Sequence, residues 1–237
     1  MAGILARHKF VAQVVLESIA RVRGKATADA AYGLTGGNAL LAYEVTTRGT
    51  MDVDIAISRM LGDWKDLEVA IESGLAASGY VLEPVDKTAG LDAFAADGEE
   101  IGLSEWEVQA PGGGEIDQLQ VSHFDLLAAP VIMPGIGPVL ALEDVAGWKT
   151  VAFANRRFAR DACDMAALLT KFTTQELMAL AQARDPGLQA ADFADAGRYV
   201  DRARDEALAA VLDGTGRDVT WVRSQLRHWP RTAPPRQ

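Results

Sequence analysis

The sequence predicts an α/β fold: a small mixed β-sheet flanked by helices, followed by a helical C-terminal domain. Three observations carry that reading. Strand-like and helix-like patterns alternate up to about residue 140. Beyond it nearly every segment has helical periodicity. Between the two lies Pro130–Pro138, whose three prolines and two glycines exclude a regular helix. The expected division is an α/β domain over 1–140, a helical domain over 141–230 and a loose tail over 231–237.

The elements follow in order. Residues 8–22 place Val11, Val14, Val15, Ile19 and Val22 on one side of an amphipathic helix. Tyr32–Thr35 reads as a short strand. Gly36-Gly37 follows, then Asn38 as a helix N-cap before Ala39–Val45. Met51–Ser58 alternates, with Met51, Val53, Ile55 and Ile57 set against Asp52, Asp54, Ala56 and Ser58, and is a strand. Trp64–Ser78 is helical and Tyr80–Glu83 a strand. The Gly-, Asp- and Ala-rich residues 86–100 read as loop. Leu103–Gln109 and Glu115–Val121 form two strands around Pro111-Gly112-Gly113-Gly114. Leu142–Ala154 and Arg160–Lys171 are helices. Thr173 and Glu176 make a capping box for a helix to about Ala183. Residues 189–211 and 218–229 are two more.

The composition sets limits. Of 237 residues 49% are hydrophobic and 24% charged, which excludes a disordered or collagen-like chain. No apolar run approaches the ~18 residues of a membrane span. Arg7, His8 and Lys9 are followed by too short an apolar stretch for a signal peptide, so a cytoplasmic protein with no membrane partner is expected. The single cysteine, Cys163, excludes an intrachain disulfide and reads as core. Lys plus Arg number 23 and Asp plus Glu 33, giving a net charge of −10. That disfavours nonspecific nucleic-acid binding. It leaves room for local basic faces at Arg48, Lys149, Arg156, Arg157 and Arg160, and at Arg223, Arg227, Arg231 and Arg236. The histidines suggest no chemistry; His123 reads as a loop residue, and His8 and His228 have no evident partner.

The stretch that carries chemistry is Leu34-Thr35-Gly36-Gly37-Asn38-Ala39-Leu40, followed by Arg48-Gly49-Thr50-Met51-Asp52-Val53-Asp54-Ile55. Asp52 and Asp54 are two apart on a strand, so both side chains leave one face. Two carboxylates there repel, and a divalent cation cancels that cost. Magnesium suits the pair because it prefers hard oxygen ligands and is completed by substrate phosphates. Gly36 and Gly37 let backbone N–H groups approach an anion, beside a helix N-terminus. A phosphate cradle beside a carboxylate pair serves phosphoryl or nucleotidyl transfer.

These residues resemble the opening motif of the DNA polymerase β-like nucleotidyltransferase superfamily, and more narrowly the AbiEii/MenT toxins of bacterial toxin–antitoxin systems. A second block is similar to the same toxins: Leu142-Glu143-Asp144-Val145-Ala146-Gly147-Trp148-Lys149, then Arg160-Asp161-Ala162-Cys163-Asp164-Met165. The resemblance covers roughly residues 30–170. It implies that Gly36 and Gly37, with Asn38 and Arg48, bind the nucleotide. It implies that Asp52 and Asp54 hold Mg2+ or Mn2+, that Lys149 contacts the triphosphate, and that Asp164 completes the active site with Asp161 beside it. The alternative for Asp161 and Asp164 is helix capping or a salt bridge to Arg157 or Arg160. The superfamily usually has Gly-Ser in the cradle, so Asn38 or the backbone must substitute. Its third metal carboxylate would be Asp117, with Glu115 as competitor. Thr50 is the implied site of regulatory phosphorylation.

The activity so implied moves a nucleoside monophosphate from a nucleoside triphosphate to the 3′ end of tRNA, blocking aminoacylation and growth, with a cognate antitoxin as partner. A small-molecule nucleotidyltransferase and a catalytically silent homologue are the alternatives.

Overall fold

β2 (Asp52–Ile57) sits at the centre of a seven-stranded mixed sheet in the computed structural model, which describes residues 3–25, 31–58, 64–85, 103–113, 116–124 and 126–233. The other strands are β1 (Tyr32–Leu34), β3 (Val81–Pro84), β4 (Leu103–Gln109), β5 (Ile116–His123), β6 (Val131–Met133) and β7 (Gly137–Val139). Their spatial order is β3-β4-β5-β2-β1-β7-β6. β2 runs antiparallel to β1 and parallel to β5; β1 and β7 are also parallel. The proline-rich run at 130–138, barred from helix, is thus an edge hairpin of β6 and β7. The expected loop at 86–100 and Glu115 lie outside the described residues.

Two compact units divide the chain. One comprises residues 4–39 and 50–141 and holds the whole sheet. The other comprises 1–3, 40–49 and 142–237 and is helical. The segment 40–49, which sequence reading put with the sheet, belongs to the helical unit.

In the sheet unit, α1 (Ala6–Arg23) and α3 (Trp64–Ala76) pack on each other, and α1 also meets β2. Val11, Val15 and Ile19 of α1 are buried with Leu67, Ile71 and Leu75 of α3. Gly74 is required where the helices meet: a Cβ there would lie 2.6 Å from the Ser18 hydroxyl. Trp64 and Trp106 bury their rings and donate their indole N–H groups to Ser104 and Glu72. A buried aromatic of this kind keeps its polar edge partnered.

The helical unit contains α4 (Leu142–Arg156), α5 (Ala159–Leu168), α6 (Thr174–Gln182), α7 (Ala190–Arg202), α8 (Asp205–Leu212) and α9 (Val219–Gln225). The capping box at Thr173 and Glu176 is present, with Thr173 Oγ1 accepting from the Glu176 N–H at 3.2 Å. A buried pair, Arg184 Nη2 to Asp144 Oδ1 at 2.6 Å, joins α4 to the end of α6. Gly147 makes room for it, since a Cβ there would fall 2.5 Å from the Arg184 side chain. Trp229 closes the unit, packing edge-on against Phe153 and Phe193 and donating to the Phe193 carbonyl.

Residues 189–211, expected as one helix, are two. The break falls at Ala203 and Arg204, both with extended ψ. Arg223 of α9 donates to the Ala203 carbonyl and to Asp205, so a tertiary contact satisfies the freed backbone oxygen. Asp205 and Glu206 then start α8, where negative charge suits a helix N-terminus.

Asp117 does not join Asp52 and Asp54. In the β2–β5 ladder Asp52 pairs with Gln118 and Asp54 with Gln120, so Asp117 leaves the opposite face, with the buried Leu119 and Val121. There it is 4% exposed and is held by α1: Arg7 Nε lies 2.8 Å from Oδ2 and His8 Nε2 2.9 Å from Oδ1. A carboxylate on a core face needs such partners to offset lost hydration. The assignment of Asp117 as a metal ligand is therefore withdrawn.

Removing Asp117 leaves the buried His8 ring without its partner, whereas Arg7, 31% exposed, can turn to water, so the cost is about 1–3 kcal/mol. Asp117→Ala should lower the thermal midpoint accordingly and leave any magnesium response unchanged. A variant with wild-type melting but a lost magnesium response would return Asp117 to the metal.

Candidate functional site

The sheet unit holds a carboxylate pair and a glycine turn. Val53 and Ile55 point into the core while Asp52 and Asp54 remain half-exposed on the other face, as the alternation requires. Gly36 has φ +64, a conformation that disfavours side-chain-bearing residues. It also has no space for one, since a Cβ would lie 1.8 Å from Asp54 Oδ2. The Asp54 carboxylate is thus seated directly on the backbone of the turn.

α2 spans Gly36–Ala42 and begins three residues earlier than expected. Asn38 is consequently inside the helix and does not cap it. Its Nδ2 donates to the Asp52 carbonyl at 2.8 Å, which fixes the helix to β2. Its Oδ1 is buried without a hydrogen-bond partner among the described residues.

Thr50 precedes β2, which starts at Asp52, so strand alternation does not orient it. A turn does: Thr50 Oγ1 accepts from the Asp52 N–H at 3.3 Å. The same side chain covers Gly37, where a Cβ would come within 3.1 Å of Thr50 Cβ and Oγ1. The Thr50 hydroxyl therefore sits on the glycine turn, beside the carboxylate strand.

The helical unit holds a buried charge cluster. Asp164 of α5 has no exposed surface. Arg48 grips it with two hydrogen bonds, Nε to Oδ1 at 2.6 Å and Nη2 to Oδ2 at 2.8 Å. Lys149 of α4 approaches Oδ2 at 2.8 Å. Burial alone pushes the Asp164 carboxyl up, but the Lys149 charge and the Arg48 hydrogen bonds outweigh it and hold the pKa at about 2. Two cations share one carboxylate, so the cluster carries a net positive charge. Arg48 and Lys149 retain small exposed surfaces, with side chains 11% and 13% accessible.

Asp161, one turn before Asp164, has another task. Its Oδ2 accepts from the Phe158 N–H at 3.1 Å and its two oxygens take Arg156 at 2.9 and 3.1 Å. It caps α5 and pairs with Arg156 rather than Arg157 or Arg160. Cys163 is buried, and desolvation with the nearby Asp164 charge raises its pKa to about 12. The thiol stays protonated and is no nucleophile.

Sequence reading missed Gln118 and Gln120. Both share the Asp52 and Asp54 face through the β5 register and offer amide groups there. Nothing in the local sequence marks them, because register is a tertiary property. His8 was also missed as a partner for Asp117. Among the described residues no cluster of three or more His, Cys, Asp or Glu is arranged to hold a metal.

The Asp164 pKa of about 2 lies below the ordinary carboxylate value of 3.8, so folding stabilises its ionised form. That contribution is complete above the ordinary value and disappears as the pH falls to about 2. It amounts to about 2 kcal/mol. Urea unfolding between pH 5 and 2 should show wild-type stability falling over this window, with a flatter profile in Asp164→Asn. Parallel profiles would contradict the ion-pair account.

No protein-family profile matches the sequence, and neither does any curated protein. Solved structures do match. A candidate nucleotidyltransferase of Helicobacter pylori aligns over 93% of this chain and 90% of its own, with 16% identity and a TM-score of 0.56. JHP933 of Helicobacter pylori aligns over 94% and 90%, with 16% identity and a TM-score of 0.54. MenT4, a nucleotidyltransferase toxin of Mycobacterium tuberculosis, aligns over 94% and 81%, with 14% identity and a TM-score of 0.53. The mixed sheet and the helices that follow it thus share the fold of these solved structures, two of which are described as nucleotidyltransferases.

Proposed function

We propose that the chain is a nucleotidyltransferase toxin that moves a nucleoside monophosphate from a nucleoside triphosphate to the 3′ end of tRNA. The observation that carries this reading is the pair Asp52 and Asp54 on one face of β2, with Asp54 seated on Gly36. The fold shared with MenT4 supports it.

Magnesium fits the pair. Its usual protein site is one or two carboxylates, with waters and substrate phosphates completing the shell. The chemistry it supplies when bound is charge stabilisation at the transferring phosphoryl group. Manganese accepts the same oxygen ligands. The glycine turn at Gly36 and Gly37, beside the pair, is the proposed seat of the phosphates. Lys149 provides a point charge for the triphosphate, and Asp164 holds that lysine and Arg48 in place. Asp164 is accordingly a positioning residue. One of the two β2 carboxylates accepts or orients the proton of the attacking hydroxyl.

The partners are a nucleoside triphosphate, the tRNA acceptor end and a cognate antitoxin. Among the described residues no helix is long and apolar enough to cross a membrane. The net charge of −10 favours a second reading, a small-molecule acceptor that needs no basic surface.

The test is incubation with total tRNA and each labelled triphosphate in turn. Label should enter the RNA with the wild type. Asp52→Ala should reduce transfer by about a thousandfold while the protein stays folded, because several kcal/mol of charge stabilisation are lost. Lys149→Ala should raise the KM for triphosphate more than that for acceptor. A folded, active Asp52→Ala variant would remove the site assignment, and absence of RNA labelling would favour the small-molecule reading.

Thr50 is the proposed point of control by phosphorylation. A phosphate there would bring about −1.5 to −2 charges to the glycine turn and β2. Thr50→Glu should be folded and inactive. Thr50→Ala should remain active and escape an antitoxin that acts as a kinase; equal silencing of Thr50→Ala by its antitoxin would point to plain binding.

A further inference from the structure

The helical unit holds a polar pocket of about 280 Å³ that, Arg48 apart, is lined by residues with no role above. Its wall includes Cys163, Ala167, Thr170 and Lys171 along one side of α5 and the turn after it. Facing them are the 44–48 segment, Thr215, Arg217 and Trp221. Arg48, whose guanidinium is bonded to Asp164 and to the Gly49 carbonyl, also lines it.

The charges in this pocket are unbalanced. Apart from Arg48, whose charge Asp164 takes, two cations line it, Lys171 and Arg217, against one acid, Glu44. Neither Lys171 nor Arg217 forms an ion pair among the described residues, whereas most other arginines of this unit do. Arg217 instead lies over the Trp221 ring, 4.6 Å from its centroid. A guanidinium stacked on an indole presents a flat cationic platform, which suits a nucleobase face. The threonines supply acceptors: Thr170 and Thr215 each donate to a backbone carbonyl, Thr215 also accepts from the Arg217 N–H at 3.1 Å, and each hydroxyl keeps a lone pair for a ligand's hydroxyl or amino group. Anion, flat ring and hydrogen-bond donors are the three parts of a nucleotide. The volume lies near the lower end for small-molecule pockets, ~300 Å³, which is room for one such unit.

We propose that this pocket binds one nucleotide unit, its phosphate between Lys171 and Arg217 and its base stacked on the Arg217–Trp221 pair. The inference rests on the nucleotidyltransferase reading for the class of ligand. In that setting the unit belongs either to the acceptor strand or to a free nucleotide, and the two have the same recognition chemistry.

The experiment is a tryptophan-fluorescence titration of the full chain without metal. The probes are inorganic phosphate, a nucleoside 5′-monophosphate and a short single-stranded RNA. The expected result is quenching by the monophosphate or the RNA that is lost in Trp221→Phe. It should weaken about tenfold in both Lys171→Ala and Arg217→Ala. Tighter binding of the RNA assigns the pocket to the strand, and tighter binding of the monophosphate to a free nucleotide. Circular dichroism melts of the variants separate loss of the pocket from loss of the fold. Quenching that survives all three substitutions, or a response to inorganic phosphate alone, would overturn the proposal. Transfer assays report separately: an inactive wild type that still binds through these residues would reject the enzymatic reading and keep the pocket.

Discussion

A carboxylate with no access to water must be neutralised, and Asp164 is neutralised twice. Arg48 comes from the segment that follows α2, and Lys149 from the middle of α4. This buried acid therefore ties that segment to both α4 and α5. This constraint explains why residues 40–49 group with the helices although they lie within the sheet-forming half of the sequence. It also orients two cations that a hydrated surface would leave mobile. Because only one negative charge serves both, positive potential remains for an anionic ligand, even in a chain with a net charge of −10.

The sheet unit has a corresponding constraint at Gly36. Asp54 can occupy its place only because residue 36 has no side chain and adopts positive φ. Asn38 then pins α2 to β2 through the Asp52 carbonyl, and Thr50 covers Gly37. Turn, helix start and carboxylate strand are one packed unit in which each small residue makes room for a polar neighbour. The geometry of the pair is set by backbone contacts, which hold better than flexible side chains do.

Other acids in the chain serve structure. Asp117 pairs with Arg7 and hydrogen-bonds with His8, Asp144 compensates Arg184, and Asp161 caps α5. All are buried, and each has a local partner that accounts for it. Two of them lie in or beside motifs that suggested chemistry. Residue type and spacing alone cannot separate a capping aspartate from a reacting one, because both need the same side chain at a helix start.

Much of the fold was legible in the sequence because its signals are local. The alternation of β2, the strand pattern at 103–109, the proline-rich edge and the Thr173–Glu176 box each depend on a few neighbouring residues. The pairing of Asp52 and Asp54 on one face was legible for the same reason, since strand period is a backbone property. Tertiary structure alone decided the β2–β5 register, which turned Asp117 into the core and brought Gln118 and Gln120 to the carboxylate face. It also decided the helix break at Ala203, where Arg223 supplies the missing hydrogen bond, and the sharing of Asp164 by Arg48 and Lys149. Those features join residues far apart in the chain, and the energies that select them come from burial and charge compensation, which no short stretch of sequence records.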